Sequence, residues 1–110
     1  MMALLLVTYP SDRDYLGWAR SLVGRGLAAC VNVIPVKSVY LWESDIQEDN
    51  EVLLILKTDR RVLNDLKDVI KSEHPYQVPE IVELSPADVN KSYLDWVSES
   101  TYGRRTAGTR

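Results

Sequence analysis

The run Ala3-Leu4-Leu5-Leu6-Val7 is continuously apolar, the pattern of a buried strand, and Pro10 closes a strand predicted over residues 3–9. Tyr15, Leu16, Ala19, Leu22 and Val23 then recur at helical spacing, which predicts an amphipathic helix over residues 12–25. Ser11, with Asp14 three residues on, supplies a capping box at its start. Gly24 and Gly26 stop it, because glycine tolerates the left-handed conformation at a helix end. From Leu27 to Trp42 the pattern becomes that of a strand, Glu43-Ser44-Asp45 makes a turn, and residues 47–58 return around Val52-Leu53-Leu54-Ile55-Leu56. A long antiparallel hairpin follows. Asp59 is placed to cap a second helix, whose apolar face is Val62, Leu63, Leu66, Val69 and Ile70. That helix ends at His74, because the residue before Pro75 is driven out of helical geometry. Residues 79–84 predict a short fourth strand, and Asn90 or Ser92 opens a last helix carrying Tyr93, Leu94, Trp96 and Val97.

The order β-α-β-β-α-β plus one helix is α+β. It is a ferredoxin-like sandwich, with two helices on one face of an antiparallel sheet, a long extended hairpin and an extra C-terminal helix. One domain spans residues 1–102; residues 103–110, with Gly103, Gly108 and three arginines, are expected to form a mobile basic tail.

A domain of this size has a radius of gyration of about 13 Å and is roughly 34 Å across. Fully extended, residues 28–42 reach about 50 Å at 3.3 Å per residue, less whatever bend Pro35 imposes. The far end of the hairpin carries Val36, Val39, Tyr40, Leu41 and Trp42, too much apolar surface to leave in water. It either curls back over its own sheet or packs on a neighbouring chain; the second predicts an oligomer of unspecified order.

The chain has 110 residues and a net charge of −3, with 13 basic and 16 acidic side chains. That excludes a protein held to nucleic acid by its overall field. The N-terminal apolar run is far shorter than the 18 or so residues of a membrane span and has no basic segment before it, so the expected compartment is the cytoplasm. One cysteine and one histidine exclude an internal disulfide and a closed Cys/His zinc site within one chain.

Gly24-x-Gly26-x-x-Ala29 imitates a dinucleotide fingerprint but lies between a helix and a strand, the reverse of the order that motif needs. Cys30 reads as a small apolar filler in a strand. His74 is either a partner of the carbonyls at a helix end or a metal ligand or proton carrier, with Tyr76 and Glu80 close in sequence. Glu48, Asp49 and Glu51 read as a solvated acidic face beside an apolar strand. Lys57, Arg60 and Arg61 could hold an anion at the start of the second helix. No catalytic constellation is legible, so an enzyme is not expected.

Five segments in fixed order now make a recognisable set. They are Gly26-Leu-Ala-Ala-Cys-Val-Asn-Val-Ile-Pro35, Ser38-Val-Tyr-Leu-Trp-Glu43, Glu51-Val-Leu-Leu-Ile-Leu-Lys-Thr58, His74-Pro-Tyr-Gln-Val-Pro-Glu-Ile81 and Tyr93-Leu-Asp-Trp-Val97. With them the sequence resembles the CutA family, named for divalent-cation (copper) tolerance, over residues 3–101. The resemblance implies a homotrimer whose extended hairpins complete sheets between subunits, and a kinship of architecture with PII-like signalling proteins. It implies an intersubunit cleft lined by Tyr40, Trp42, Lys57, His74, Tyr76 and Glu80, with Trp96 nearby. For a metal it points to His74 and Cys30, with Glu73 where some members have a second histidine, and Val7 where some have a cysteine. The loss of soft ligands disfavours Cu(I) and leaves Cu²⁺ or another divalent cation, weakly bound and not required for folding. The alternative is a PII-like trimer that binds a small anionic metabolite through Lys57 and the aromatic wall of Tyr40, Trp42 and Tyr76.

Overall fold

The computed structural model describes residues 1–102; the expected tail, residues 103–110, lies outside the described residues. The elements run β1 (Met2–Pro10), α1 (Tyr15–Gly24), β2 (Cys30–Trp42), β3 (Asp45–Asp59), α2 (Leu63–Glu73), β4 (Val82–Leu84) and α3 (Lys91–Glu99). The strands form one antiparallel sheet in the order β2-β3-β1-β4. This is the expected α+β ferredoxin-like arrangement with an added C-terminal helix.

Strand alternation divides the sheet into two unlike faces. Ala3, Leu5, Val7 and Tyr9 of β1 and Val52, Leu54 and Leu56 of β3 are buried in one cluster with Leu22, Leu66, Val69 and Ile70 from α1 and α2. The intervening Leu4, Leu6, Leu53 and Ile55 are only half-buried, and Ile34 beside them is exposed. We call this second side the open face. α3 covers one end of it, where Val97 packs with Met2 and Ala29, and Leu4, Tyr93 and Leu94 lean on them.

The hairpin pairs without interruption from Cys30↔Lys57 to Trp42↔Asp45 and turns through Glu43 and Ser44, both with positive φ (51° and 70°). Two left-handed residues give the tight turn whose twist matches the strands it joins. Pro35 does not bulge the ladder. The result is an arm: the molecule measures 45 × 32 × 20 Å with a radius of gyration of 14.7 Å. The arm carries Val39, Leu41 and Ile46 at 69%, 69% and 75% exposure.

Three local expectations are corrected. α1 begins at Tyr15, not residue 12, and its cap is Asp14, whose Oδ1 accepts from the Gly17 N–H at 2.9 Å. Ser11 instead donates to the Asn50 carbonyl, a partner 39 residues away that local pattern does not reveal. Asp59 stays in β3, accepts from the Arg61 N–H, and leaves α2 to start later at Leu63. β4 is three residues long, beginning only at Val82. Gly26 has φ +70° and lies under the Tyr102 ring, so a β-carbon there would be 2.7 Å from that ring. Both the conformation and the close approach require glycine.

Candidate functional site

Both ends of the open face bear chemistry. At the far end from α3 a cavity of about 700 Å³ lies between the arm and residues 75–80, which leave α2 and cross the sheet. Thr8, Ser38, Tyr40, Trp42 and Glu51 line it from the sheet, and Tyr76 and Glu80 from the crossing segment. The sheet residues converge because they share one face in register: Ser38 pairs with Asp49, Tyr40 with Gln47 and Trp42 with Asp45.

The crossing segment is fixed by His74, where α2 ends as expected and the backbone turns extended (φ −70°, ψ 137°). Its Nδ1 accepts from the Tyr76 N–H at 3.0 Å, so the ring proton is on Nε2 and donates to the Thr8 carbonyl at 2.7 Å. The ring packs among Tyr9, Trp18 and Tyr76. His74 is thus a strut between β1 and the cavity wall. Burial holds its pKa below the ordinary histidine value, against the opposing pull of the Thr8 bond and Glu51.

A folded pKa below the unfolded one means that the unfolded chain binds the extra proton first, so stability is full above about pH 6.5 and falls as pH drops through the folded value. Urea midpoints are expected to decline from pH 7 to 5.5 in the wild type and to decline less in His74→Gln. Equal slopes would remove His74 as the cause.

Tyr76 extends the strut by donating its hydroxyl to Glu51 Oε2 at 2.6 Å. Burial, then the Glu51 carboxylate, push the Tyr76 phenol well above its usual pKa, so it stays a neutral donor. The Tyr40 hydroxyl bonds to Asp49, which raises that phenol too.

The predicted residues fall into separate groups. Tyr40, Trp42, Tyr76 and Glu80 share the cavity. Lys57 and Trp96 do not: Lys57 pairs with Cys30 and Leu4 under α3, its ammonium 5.7 Å from the centre of the Tyr93 ring, and Trp96 packs on Tyr93. They form the opposite end of the open face.

The suggested metal set does not assemble in one chain. Both His74 nitrogens are engaged, Glu73 accepts two bonds from Arg25 and one from the Trp18 indole, and Cys30 faces Asn32 at the Lys57 end. Cys30 is level with Leu4 and two strands over, whereas His74 bonds at Thr8, roughly 13 Å further along β1. Among the described residues no three His, Cys, Asp or Glu side chains are grouped to hold a metal ion. These residues therefore do not fit a metal site within the chain.

Glu51 was missed. Read as part of a solvated acidic face, it is in fact 7% exposed. The available signal was register: alternation from Val52, Leu54 and Leu56 puts residue 51 on the same side as Leu53 and Ile55. Its partner Tyr76, 25 residues on, had no local signal.

Known proteins match both sequence and shape. The CutA1 divalent ion tolerance protein family matches residues 3–100. The divalent-cation tolerance protein CutA of Thermus thermophilus is 44% identical over 102 residues, 92% of this chain and 99% of that one. Its solved structure superposes with a TM-score of 0.85 over 93% of this chain and 100% of that one. Protein CutA of Homo sapiens is 42% identical over 96 residues, which cover 86% of this chain but 54% of the human one, so the chain spans about half the length of that relative. The PII-like protein CutA from Nostoc superposes with a TM-score of 0.86 at 31% identity, over 91% of this chain and 97% of that one. Five ordered motifs, a ferredoxin-like sheet with an extended arm, and a family match over almost all of the described residues lead to one conclusion: this chain belongs to the CutA1 divalent ion tolerance protein family.

Proposed function

We propose that this chain works as a cytoplasmic homotrimer in the tolerance of divalent cations, as a binding protein and not an enzyme. Family membership supports the role in tolerance. One observation carries the assembly: Leu6, Leu53, Ile55 and Ile34 form an apolar strip between the two ends of the open face, and no helix of the described residues covers it. Strands that are apolar on both sides belong in sheets covered on both sides. α1 and α2 supply one cover, and neighbouring copies supply the other, with the arm reaching across the seam. The number three comes from the resemblance.

Cu²⁺ or another divalent cation binds weakly in this reading and is not needed for folding. The cytoplasm suits a chain whose one cysteine is free. Among the described residues no helix is long and apolar enough to cross a membrane.

Native mass spectrometry is expected to give three times 12.5 kDa for the wild type. Trp42→Ala truncates an aromatic anchor on the arm, and is expected to raise the dissociation midpoint at least tenfold, a cost of about 1.4 kcal/mol or more. A 12.5 kDa species at all concentrations overturns the assembly. Equilibrium dialysis against CuCl₂ tests the ion: no uptake at millimolar concentration overturns that part.

A second reading draws on Lys57, which forms no ion pair among the described residues. There a small anionic metabolite binds between subunits at the Lys57 end, in the manner of a PII-like protein. A thermal-shift screen of nucleotides and organic acids separates the two, with Lys57→Met abolishing any shift.

A further inference from the structure

The segment that leaves α2 is anchored firmly at both ends and lightly in between. Upstream, the Glu73 carboxylate accepts two bonds from Arg25 and one from the Trp18 indole, and the His74 ring bonds to the Thr8 carbonyl, so the end of α2 is clamped to α1 and β1. Downstream, Ile81 packs on the helix-side core and Val82 pairs with Leu6. Residues 75–80 bridge these anchors. Pro75 and Pro79 have no N–H to give, and among the described residues the amides of Gln77, Val78 and Glu80 donate to no backbone acceptor. Val78 is 67% exposed. One hydrogen bond ties the middle of the segment to the sheet, from the Tyr76 hydroxyl to Glu51 at 2.6 Å.

We propose that residues 75–80 form a hinged strap at the arm end of the open face, latched by the Tyr76–Glu51 hydrogen bond, and that releasing this latch opens the cavity wall while the sheet and both anchors stay folded. Two opposed effects meet at the latch. A phenol donating to a carboxylate makes a strong, charge-assisted bond. Glu51 beneath it is nine-tenths buried, and no cationic side chain of the described residues pairs with it, so closing the strap also takes a carboxylate out of water. An element held by one bond against such a cost opens locally, without global unfolding. Opening returns Glu51 to water and uncovers Thr8, which lines the same cavity. The strap governs access to a cleft of the assembled protein and to that extent rests on the proposed function: neighbouring copies cover the Leu6, Leu53 and Ile55 strip, and the strap stands beside it.

The test is thiol labelling of the full chain with iodoacetamide, with native mass read alongside. In a Cys30→Ser background, Thr8→Cys puts the single thiol in the cavity lining, and its labelling rate reports how often the wall opens. Tyr76→Phe keeps the ring beside His74 and deletes only the hydroxyl; it is expected to speed labelling at least about tenfold. Glu51→Gln keeps an acceptor for the phenol, and its rate is expected to stay within about threefold of the parent. Hydrogen exchange at the Leu5 and Leu54 amides, in the two interior strands, is expected to be unchanged in both variants. The strap is ruled out if Tyr76→Phe labels at the parent rate, if Glu51→Gln labels as fast as Tyr76→Phe, or if exchange at Leu5 and Leu54 accelerates along with labelling. An assembly of unchanged mass with no change in rate sinks the strap alone; a 12.5 kDa species in which Tyr76→Phe still labels faster sinks the assembly alone.

Discussion

Leu54→Ala is expected to destabilise the fold by about 3–5 kcal/mol, read as a lowered urea midpoint at fixed protomer concentration. Leu54 lies in β3, an interior strand of the sheet, paired with Val7 on one side and Val33 on the other. Its side chain is fully buried in the cluster that α1 and α2 build with Leu22, Leu66 and Ile70. Truncation removes the transfer energy of three carbons and leaves a cavity whose walls cannot collapse, because both neighbouring strands are pinned by continuous ladders. A domain of this size has about 5–15 kcal/mol of stability in total, so the loss is a large part of it. A change below about 1 kcal/mol would mean that the helix-side cluster is not the core.

Leu6→Glu should leave that core intact and break the proposed assembly. Leu6 sits on the open face between Ile55 of β3 and Val82 of β4, in the middle of the uncovered strip. A carboxylate there is solvated in a lone chain and is buried without a partner, once per subunit, in an assembled one. Removing one charge from water without a counter-ion costs several kcal/mol, more than an interface of modest size can absorb. The expected result is a 12.5 kDa species by sedimentation with an unchanged circular dichroism spectrum. An assembly of unchanged mass would place the proposed seam elsewhere on the surface.

Element order was readable because spacing is set locally: period 3.6 for Leu63, Leu66, Val69 and Ile70, and an unbroken apolar run for Leu4–Val7. The arm was readable from length against domain size. Helix starts were not, since the hydroxyl of Ser11 is claimed by Asn50 and the carboxylate of Asp59 by Arg61, and neither contest is visible in the neighbouring residues. The candidate site was half legible. Tyr40, Trp42, Tyr76 and Glu80 do meet, but Lys57 and Trp96 lie at the other end of the sheet. An acidic residue beside two others reads as surface in sequence. Glu51 is buried where Tyr76 bonds to it, from a segment that His74 ties to β1.

The two extremities of the described chain meet at one corner. The Arg60 N–H donates to the Met1 carbonyl at 2.7 Å, and the neighbouring Arg61 guanidinium holds the Ser98 carbonyl at 3.0 Å and bonds to Thr101. This corner is beside the β3–α2 junction, at the opposite end of β1 from Thr8 and the cavity. Segments that continue from Met1 or from Tyr102 therefore set out from the same corner, as close neighbours and at the far end of β1 from the cavity.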